Sequence, residues 1–405
     1  MAIQLSNLTF TEQDDIVPAS GVDEIYNSGV ANTLAGDDVI TGNGLFAGIW
    51  NDGIINTGRG NDIITGTGGN WGYINYVGDL NTSDGNDTLT GISTQSYNGN
   101  GFDNSGNLNT GDGDDIITGI SHAIYSSSEG SGLKNSLDNF GLDTGNGNDI
   151  ITGISNNDGI NNYSSTINTG NGDDSIIADG GLNGINNYSA TINTGNGDDS
   201  IIAEGNNAPD VNSFYTGYGI ANRGTIDSGN GNDTITVSGD IGISNNYDGT
   251  IGTGDGNDRI TSTGVIYNEG AINTGNGDDS IIVDGSYDYI TGTTYGIKNN
   301  GGTINMGNGN DSIITNENFE GLGYVSLGEG EDYLYGFGSG EFSGGNGNDT
   351  LELPSGTYTV GRWYTAVTFT QGSSIMIASD FEQLRDDSGT YDFTSLTKGQ
   401  TITVA

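Results

Sequence analysis

The sequence predicts an all-β protein: a right-handed parallel β-helix, or β-solenoid, of about 13 coils with β-strand caps at both ends. Three observations lead there. A phrase of the form T-G-x-G-[ND]-D-x-[IL], or a close variant, recurs thirteen times along the 405 residues. A second marker, an apolar residue followed by any residue and then Asn, falls in step with the first. Helices are not expected: 74 glycines and dense β-branched residues leave no apolar stripe of 3.6-residue period.

The last Asp of the phrase stands at Asp38, Asp62, Asp87, Asp115, Asp149, Asp174, Asp199, Asp233, Asp258, Asp279, Asp311, Asp332 and Asp349. The shortest step runs from Asp332 to Asp349 and the longest are of the kind seen from Asp115 to Asp149. The commonest, as from Asp149 to Asp174 and on to Asp199, is about 25 positions, the span of a coil with several short strands. Residues 159–178, GINNYSSTINTGNGDDSIIA, return at 184–203 with one letter changed. The second marker gives Asn27, Asn51, Asn104, Asn162, Asn187, Asn222, Asn245, Asn268 and Asn299, each leading a motif Asp by nearly the same interval, as Asn162 leads Asp174 and Asn187 leads Asp199. Such regularity predicts an Asn stack inside the solenoid at one corner, interrupted once, at Tyr76.

Each coil reads as three short strands: one after the Asp (SIIA, Ser175 to Ala178), one carrying Ile-x-Asn, and one entering the next turn (TINT, Thr191 to Thr194). Strands at equivalent positions pair in parallel about 4.8 Å apart, so twelve steps give a rod on the order of 60 Å, with the crossover rule favouring a right-handed wind. The interior is thin, with rows of Ile, Leu and Val. Residues 1–24 are the N-terminal capping strand region and 25–351 the solenoid. Residues 352–405 alternate apolar and polar with a Gln-Gly-Ser turn, which predicts antiparallel hairpins covering the last coil.

The glycine turns carry the chemistry. Paired glycines such as Gly170 and Gly172 open φ > 0 conformations that bring carbonyl oxygens together beside the motif Asp. A cation with six to eight loosely arranged oxygen ligands suits such a turn, which favours Ca²⁺ over Mg²⁺ with its tighter octahedron. The thirteen motif Asp are the candidate side-chain ligands. The residue before each is Asp at 37, 114, 173, 198 and 278, Glu331 once and Asn in most others, so its charge is optional. Metal-free turns are the alternative, since Gly, Asn and Asp are turn residues anyway. Thirteen carboxylates stacked about 4.8 Å apart would then repel one another.

Thr169-Gly170-Asn171-Gly172-Asp173-Asp174-Ser175-Ile176 and Gly344-Gly345-Asn346-Gly347-Asn348-Asp349-Thr350-Leu351 resemble the nonapeptide G-G-x-G-x-D-x-U-x of the hemolysin-type, or RTX, calcium-binding repeat proteins. The resemblance covers about residues 33 to 351. It implies multiple Ca²⁺ and a parallel β-roll. The family's nonapeptide recurs every nine residues, whereas here it recurs about every 25, which implies a broader β-helix with calcium along a single edge. Residues 379–384 (SDFEQL) and 396–405 (LTKGQTITVA) resemble the C-terminal cap and export tail of type I-secreted members of that family.

Composition bounds the function. Against 53 acidic residues stand 8 basic ones, net charge −45, so nucleic acid is not a partner and cations are. Cysteine is absent, which removes disulfides and thiolate metal sites. No basic residue precedes Arg59 and no apolar run suffices for a signal-peptide core or a membrane span, so export requires another address and membrane insertion is not expected.

From motif Asp to the next Ile-x-Asn most coils take a short path, as from Asp174 to Ile185, but Asp87, Asp115, Asp199 and Asp279 are followed by markedly longer segments. These insertions, STQSYNGNG, SHAIYSSSEGSG, NNAPDVNSFYTGYG and GSYDYITGTTYG, are rich in Tyr, Ser, Asn and Gly. They carry Tyr97, Tyr125, Phe214, Tyr215, Tyr218, Tyr287, Tyr289 and Tyr295, candidates for stacking on a glycan or a neighbouring subunit, or else covers for gaps in the rod. His122, the single histidine, reads as a solvated loop residue. Eight scattered bases form no catalytic cluster, so no enzyme is expected.

The resulting expectation is a secreted, calcium-rigidified structural or adhesive protein of the bacterial cell surface or matrix, assembling head to tail through its N-terminal strand and C-terminal hairpins. The alternatives are a carbohydrate-binding adhesin, a polysaccharide lyase or epimerase using the loop aromatics, and an ice-binding protein with Thr-x-Asn-Thr rows on a flat face.

Overall fold

A computed structural model describes residues 2–18, 23–94, 99–122, 130–136, 141–206, 217–288, 293–386 and 389–405. The chain divides into two units, Met1–Ser228 and Gly229–Ala405, and each is a stack of coils built from parallel strands.

Alternation along each strand, repeated in register from coil to coil, lays down continuous columns of side chains. In the first unit Ile151 pairs with Ile176 and Ile176 with Ile201, so the strands that follow the motif Asp point Ile40, Ile64, Leu89, Ile117, Ile151, Ile176 and Ile201 inward. The second strand of each coil adds the column from Ile25 and Ile49 through Tyr73 and Phe102 to Ile220. The third adds the column from Ile55 and Leu80 to Ile226. Every residue of these columns is at most 2% exposed, and each buried aliphatic side chain contributes roughly 1.5–3 kcal/mol. The rings of Tyr73 and Phe102 stack 4.7 Å apart where the second column turns aromatic. The expected division into three strands holds for most coils; Asn183–Asn193 and Tyr218–Asp227 each fuse the second and third strands, with an irregularity between Tyr188 and Thr191, and the short coil from Asp332 to Asp349 keeps two, Tyr333–Tyr335 and Gly340–Gly347.

The Asn stack is present and more complete than the sequence suggests. Asn27 Nδ2 donates to Asn51 Oδ1 at 2.9 Å, Asn51 to Asn75 at 2.8 Å, Asn75 to Asn104 at 2.9 Å, Asn104 to Asn135 at 2.9 Å and Asn135 to Asn162 at 3.0 Å. Asn162 continues to Asn187, and Asn187 to Asn222. The second unit has its own run, Asn245 to Asn268 to Asn299. The expected interruption at Tyr76 does not occur. Ile49 pairs with Tyr73 and Asn51 with Asn75, so Asn75 takes the corner and Tyr76 lies outside the strand. Asn135 is a further member; it stands farther ahead of its motif Asp, Asp149, than the marked Asn do of theirs.

The N-terminal segment is a degenerate coil rather than a separate lid. Ile3–Gln4 pairs in parallel with Ile25 and Tyr26, and Ile16–Val17 with Val39 and Ile40. The C-terminal hairpins are present as expected: Gly356–Trp363, Ala366–Gln371 and Ser374–Ser379 run antiparallel in succession, and Gln371-Gly372-Ser373 turns between the last two. Met376 to Ser379 pair in parallel with Gly340 to Ser343, and Gln383 to Arg385 with Thr350 to Glu352, so the tail continues the stack of the second unit while covering it.

Candidate metal centres in the glycine turns

Within the turns the backbone enters the left-handed region at the two positions that are glycine in most of them, for example Gly170 at φ 98° and Gly172 at φ 131°. Turns one coil apart lie directly over one another. A Cβ added to Gly172 would collide with the carbonyl oxygen of Gly147, and one on Gly147 with that of Gly113. The second glycine of each turn therefore leaves a cradle lined by a carbonyl oxygen that only a residue without a side chain can spare. Leu34 and Ser83 replace the first glycine and still adopt φ 84° and 68°, so the stack imposes this conformation against their preference.

The motif Asp are buried, none more than 2% exposed, and form one column in each unit. Within each unit Oδ1 of a motif Asp accepts from the backbone N–H of the motif Asp one coil earlier: Asp149 N to Asp174 Oδ1 at 2.8 Å, Asp115 N to Asp149 Oδ1 at 2.8 Å, and in the second unit Asp258 N to Asp279 Oδ1 at 2.8 Å. The other oxygen, Oδ2, is sealed from solvent and accepts no hydrogen bond at Asp38, Asp62, Asp87, Asp115, Asp149, Asp174, Asp258, Asp279, Asp311, Asp332 and Asp349. A threonine hydroxyl lies near most of these carboxylates, and except at Thr57, beside Asp62, its single proton has a competing acceptor. Thr169 Oγ1 donates to Thr194 O at 3.1 Å and Thr33 Oγ1 to Thr57 O at 2.7 Å.

Burial without a full set of donors makes these carboxyls reluctant to ionise. Desolvation is the dominant cause, repulsion from neighbouring acids adds to it, and the backbone N–H and threonine hydroxyl work against it. Asp62, Asp115, Asp174, Asp199, Asp279 and Asp349 are pushed up to about 6, and Asp87, Asp149 and Asp311 to about 7. Asp38, Asp258 and Asp332 are raised as well.

A buried carboxylate oxygen without a donor, in a turn that also carries carbonyl oxygens facing the next coil, offers the oxygen chemistry that a hard cation takes. Among the described residues no three His, Cys, Asp or Glu side chains converge on one point. Each turn brings one buried carboxylate, so an ion here would draw its remaining ligands from backbone carbonyls of successive turns.

The optional charge before the motif Asp has a structural reason. Asp198 N donates to Asp173 Oδ1 at 2.9 Å, Asp173 N to Asn148 Oδ1 at 2.8 Å and Asn148 N to Asp114 Oδ1 at 2.9 Å. The position needs an exposed side-chain oxygen, which Asn and Asp supply equally. This outer ladder also runs opposite in sense to that of the motif Asp. Two end groups were not foreseen. Asp15 N donates to Asp38 Oδ1 at 2.8 Å and Asp37 N to Asp14 Oδ1 at 3.0 Å, so residues 11–15 act as a glycine-free copy of the turn. At the other end Asp349 N donates to Glu382 Oε2 at 2.9 Å, a longer acid closing the column. The doublet Asp14-Asp15 followed by two apolar residues was the available signal for the first.

Of the insertion aromatics, Tyr97, Tyr125, Phe214, Tyr215 and Tyr289 lie outside the described residues. Tyr287 sits in the strand Ser286–Asp288, paired antiparallel with Thr293 to Tyr295. Tyr218 is half-buried at the start of Tyr218–Asp227, opposite Asn183. Tyr295 is 8% exposed with Lys298 Nζ 5.0 Å from its ring centre, so it packs rather than presents a surface. His122 is exposed, its Nδ1 2.9 Å from Ser93 O. Among the described residues no helix is long and apolar enough to cross a membrane.

The sequence matches no described protein family and no curated protein. Among solved structures, the chain is similar to a hyperactive, Ca²⁺-dependent, β-helical antifreeze protein from an Antarctic bacterium. The two share 20% identity over 96% of each chain, with a TM-score of 0.44.

Proposed function

We propose that this protein is a calcium-rigidified β-solenoid that serves outside the cell as a structural or adhesive element. One observation carries the reading: in both units, columns of buried motif Asp hold carboxylate oxygens with no hydrogen-bond donor. Calcium would supply the missing positive charge, held by the motif Asp and the turn carbonyls. Extracellular modules bind calcium at about 10⁻⁴ to 10⁻³ M, so the turns would stay empty in the cytosol, where the repelling acids keep the chain expanded and fit for export. The RTX resemblance and type I export belong to this reading, as does head-to-tail assembly of copies. Titration calorimetry of the EGTA-treated chain tests it. Saturable calcium uptake by several sites, reduced stepwise by motif Asp→Asn substitutions, is expected. No uptake at millimolar calcium would refute it.

Ice binding is a second reading, favoured by one feature of the first unit. Thr41, Thr65, Thr90, Thr118 and Thr152 stand in register on five successive strands with side chains outward, flanked by Ile63, Ile116, Ile150 and Ile154. This face differs from the expected Thr-x-Asn-Thr rows, whose last threonine, as at Thr169 and Thr194, is buried. Thermal hysteresis in calcium, abolished by Thr118→Tyr, would support it.

A further inference from the structure

We propose that Phe46 and Trp50, with Trp71 edge-on between them and Tyr76 beside them, form an aromatic site for a neutral oligosaccharide, with the Asp52 carboxylate receiving its hydroxyl donors. The site requires the solenoid fold, and neither a calcium ligand nor an insertion aromatic is part of it.

Two neighbouring coils build it. Ala47–Asn51 pairs in parallel with Trp71–Asn75, placing Ala47 beside Trp71 and Trp50 beside Ile74. Because Ile49 and Asn51 point inward, Trp50 points out. The rings then follow one another: Phe46 to Trp71 at 4.8 Å, Trp71 to Trp50 at 6.2 Å and Trp50 to Tyr76 at 6.1 Å between ring centres, with Phe46 and Trp50 nearly parallel at 16° and Trp71 set edge-on between them at 73° and 78°. Phe46 is 47% exposed and Tyr76 52%. Leu45 and Val77 extend the apolar surface beside them. Single exposed aromatics need no explanation, but a contiguous group holding two of the chain's three tryptophans does.

Asp52 sets the polarity of this surface. Trp50 Nε1 donates to its Oδ1 at 2.6 Å and Tyr26 OH to its Oδ2 at 3.1 Å, so the carboxylate is held in place by the aromatics of two coils. An ionised carboxylate only accepts hydrogen bonds. The ligand must therefore have a flat apolar face for the rings and a rim of donors for Asp52, which is the character of a pyranose. Charge narrows the class further. A chain at −45 repels anionic polymers, and two copies laid face to face would bring Asp52 of each near the other. A neutral sugar chain meets neither obstacle.

The test follows tryptophan emission of the full chain in millimolar calcium during titration with cellohexaose, chitohexaose or an oligogalacturonate, with circular dichroism confirming the fold. A saturable change with a neutral hexamer is expected. Trp71→Ala and Phe46→Ala should each weaken it by about tenfold or more, and Asp52→Asn by roughly threefold to tenfold. Trp363→Phe, in the other unit, should leave the affinity unchanged. If the chain stays folded in EGTA, the titration is repeated there, so failure of the calcium reading does not decide this one. The proposal is overturned if neither neutral hexamer gives a saturable response, or if the oligogalacturonate binds more tightly. Parent-like binding by Trp71→Ala and Phe46→Ala, or self-association that Trp71→Ala abolishes, also overturns it.

Discussion

Asp173 and Asp174 are adjacent, both acidic, and do different work. Asp174 is buried with one oxygen unpartnered, whereas Asp173 is exposed and uses one oxygen to accept from Asp198 N. Asp174→Asn should cost about 1–3 kcal/mol in calcium, from lost charge-assisted ligation, yet be neutral or stabilising in EGTA, where it removes a desolvated charge. Asp173→Asn should change neither, because the amide oxygen keeps the same bond. Urea melts of both variants in both buffers check this pair. The motif Asp could be read from sequence because it never varies. The role of the preceding residue could not, since Asn and Asp are equivalent acceptors and the sequence does not say which way the N–H of the next coil points.

At the scale of the strand and corner, the Asn stack stabilises the fold independently of metal. Asn162 Nδ2 donates to Asn187 Oδ1 at 3.0 Å and Thr191 O at 2.9 Å, and its Oδ1 accepts from Asn135. Asn162→Ala leaves a buried donor and a buried acceptor on neighbouring coils unpaired and should cost about 2–4 kcal/mol with or without calcium. Ile176→Val, on an inward column, should cost about 1 kcal/mol, again in both buffers. Thermal melts of these variants against the parent separate packing from ligation. The period and the three-strand coil were legible because apolar residues and Asn recur at fixed offsets. Asn75 and Asn135 escaped because fixed spacing assumes equal corners. Tyr73 replaces the expected Ile in one coil, and extra residues separate Asn135 from its turn in the other.

Across the whole molecule the net charge of −45 and the two Asp columns make stability depend on cations and on pH. Without metal, Asp62 and Asp174 sit near 6 and Asp87 and Asp149 near 7, against an ordinary 3.8. A carboxyl raised by folding binds its proton more readily in the folded state. Its contribution is therefore complete below about pH 4 and is lost as pH rises through 6 to 7. In EGTA, stability should fall from pH 4 to pH 8. In millimolar calcium the trend should reverse over pH 5 to 7, because protons and metal compete for the same oxygens. Denaturant midpoints at each pH give both slopes, and parallel slopes in the two buffers would count against shared sites. The two ends were the least legible part of the fold. Residues 11–15 form a turn without its glycines, and Glu382 closes a column otherwise made of Asp; neither carries the motif that identified the rest.

Far-UV circular dichroism of the full chain, melted at pH 7.5 in EGTA and again in about 5 mM calcium, tests the calcium edge most directly. The account predicts a weak or low-melting β signal in EGTA that millimolar calcium restores and equal magnesium does not. An identical β signal and melting temperature in both buffers would mean that the turns are only turns.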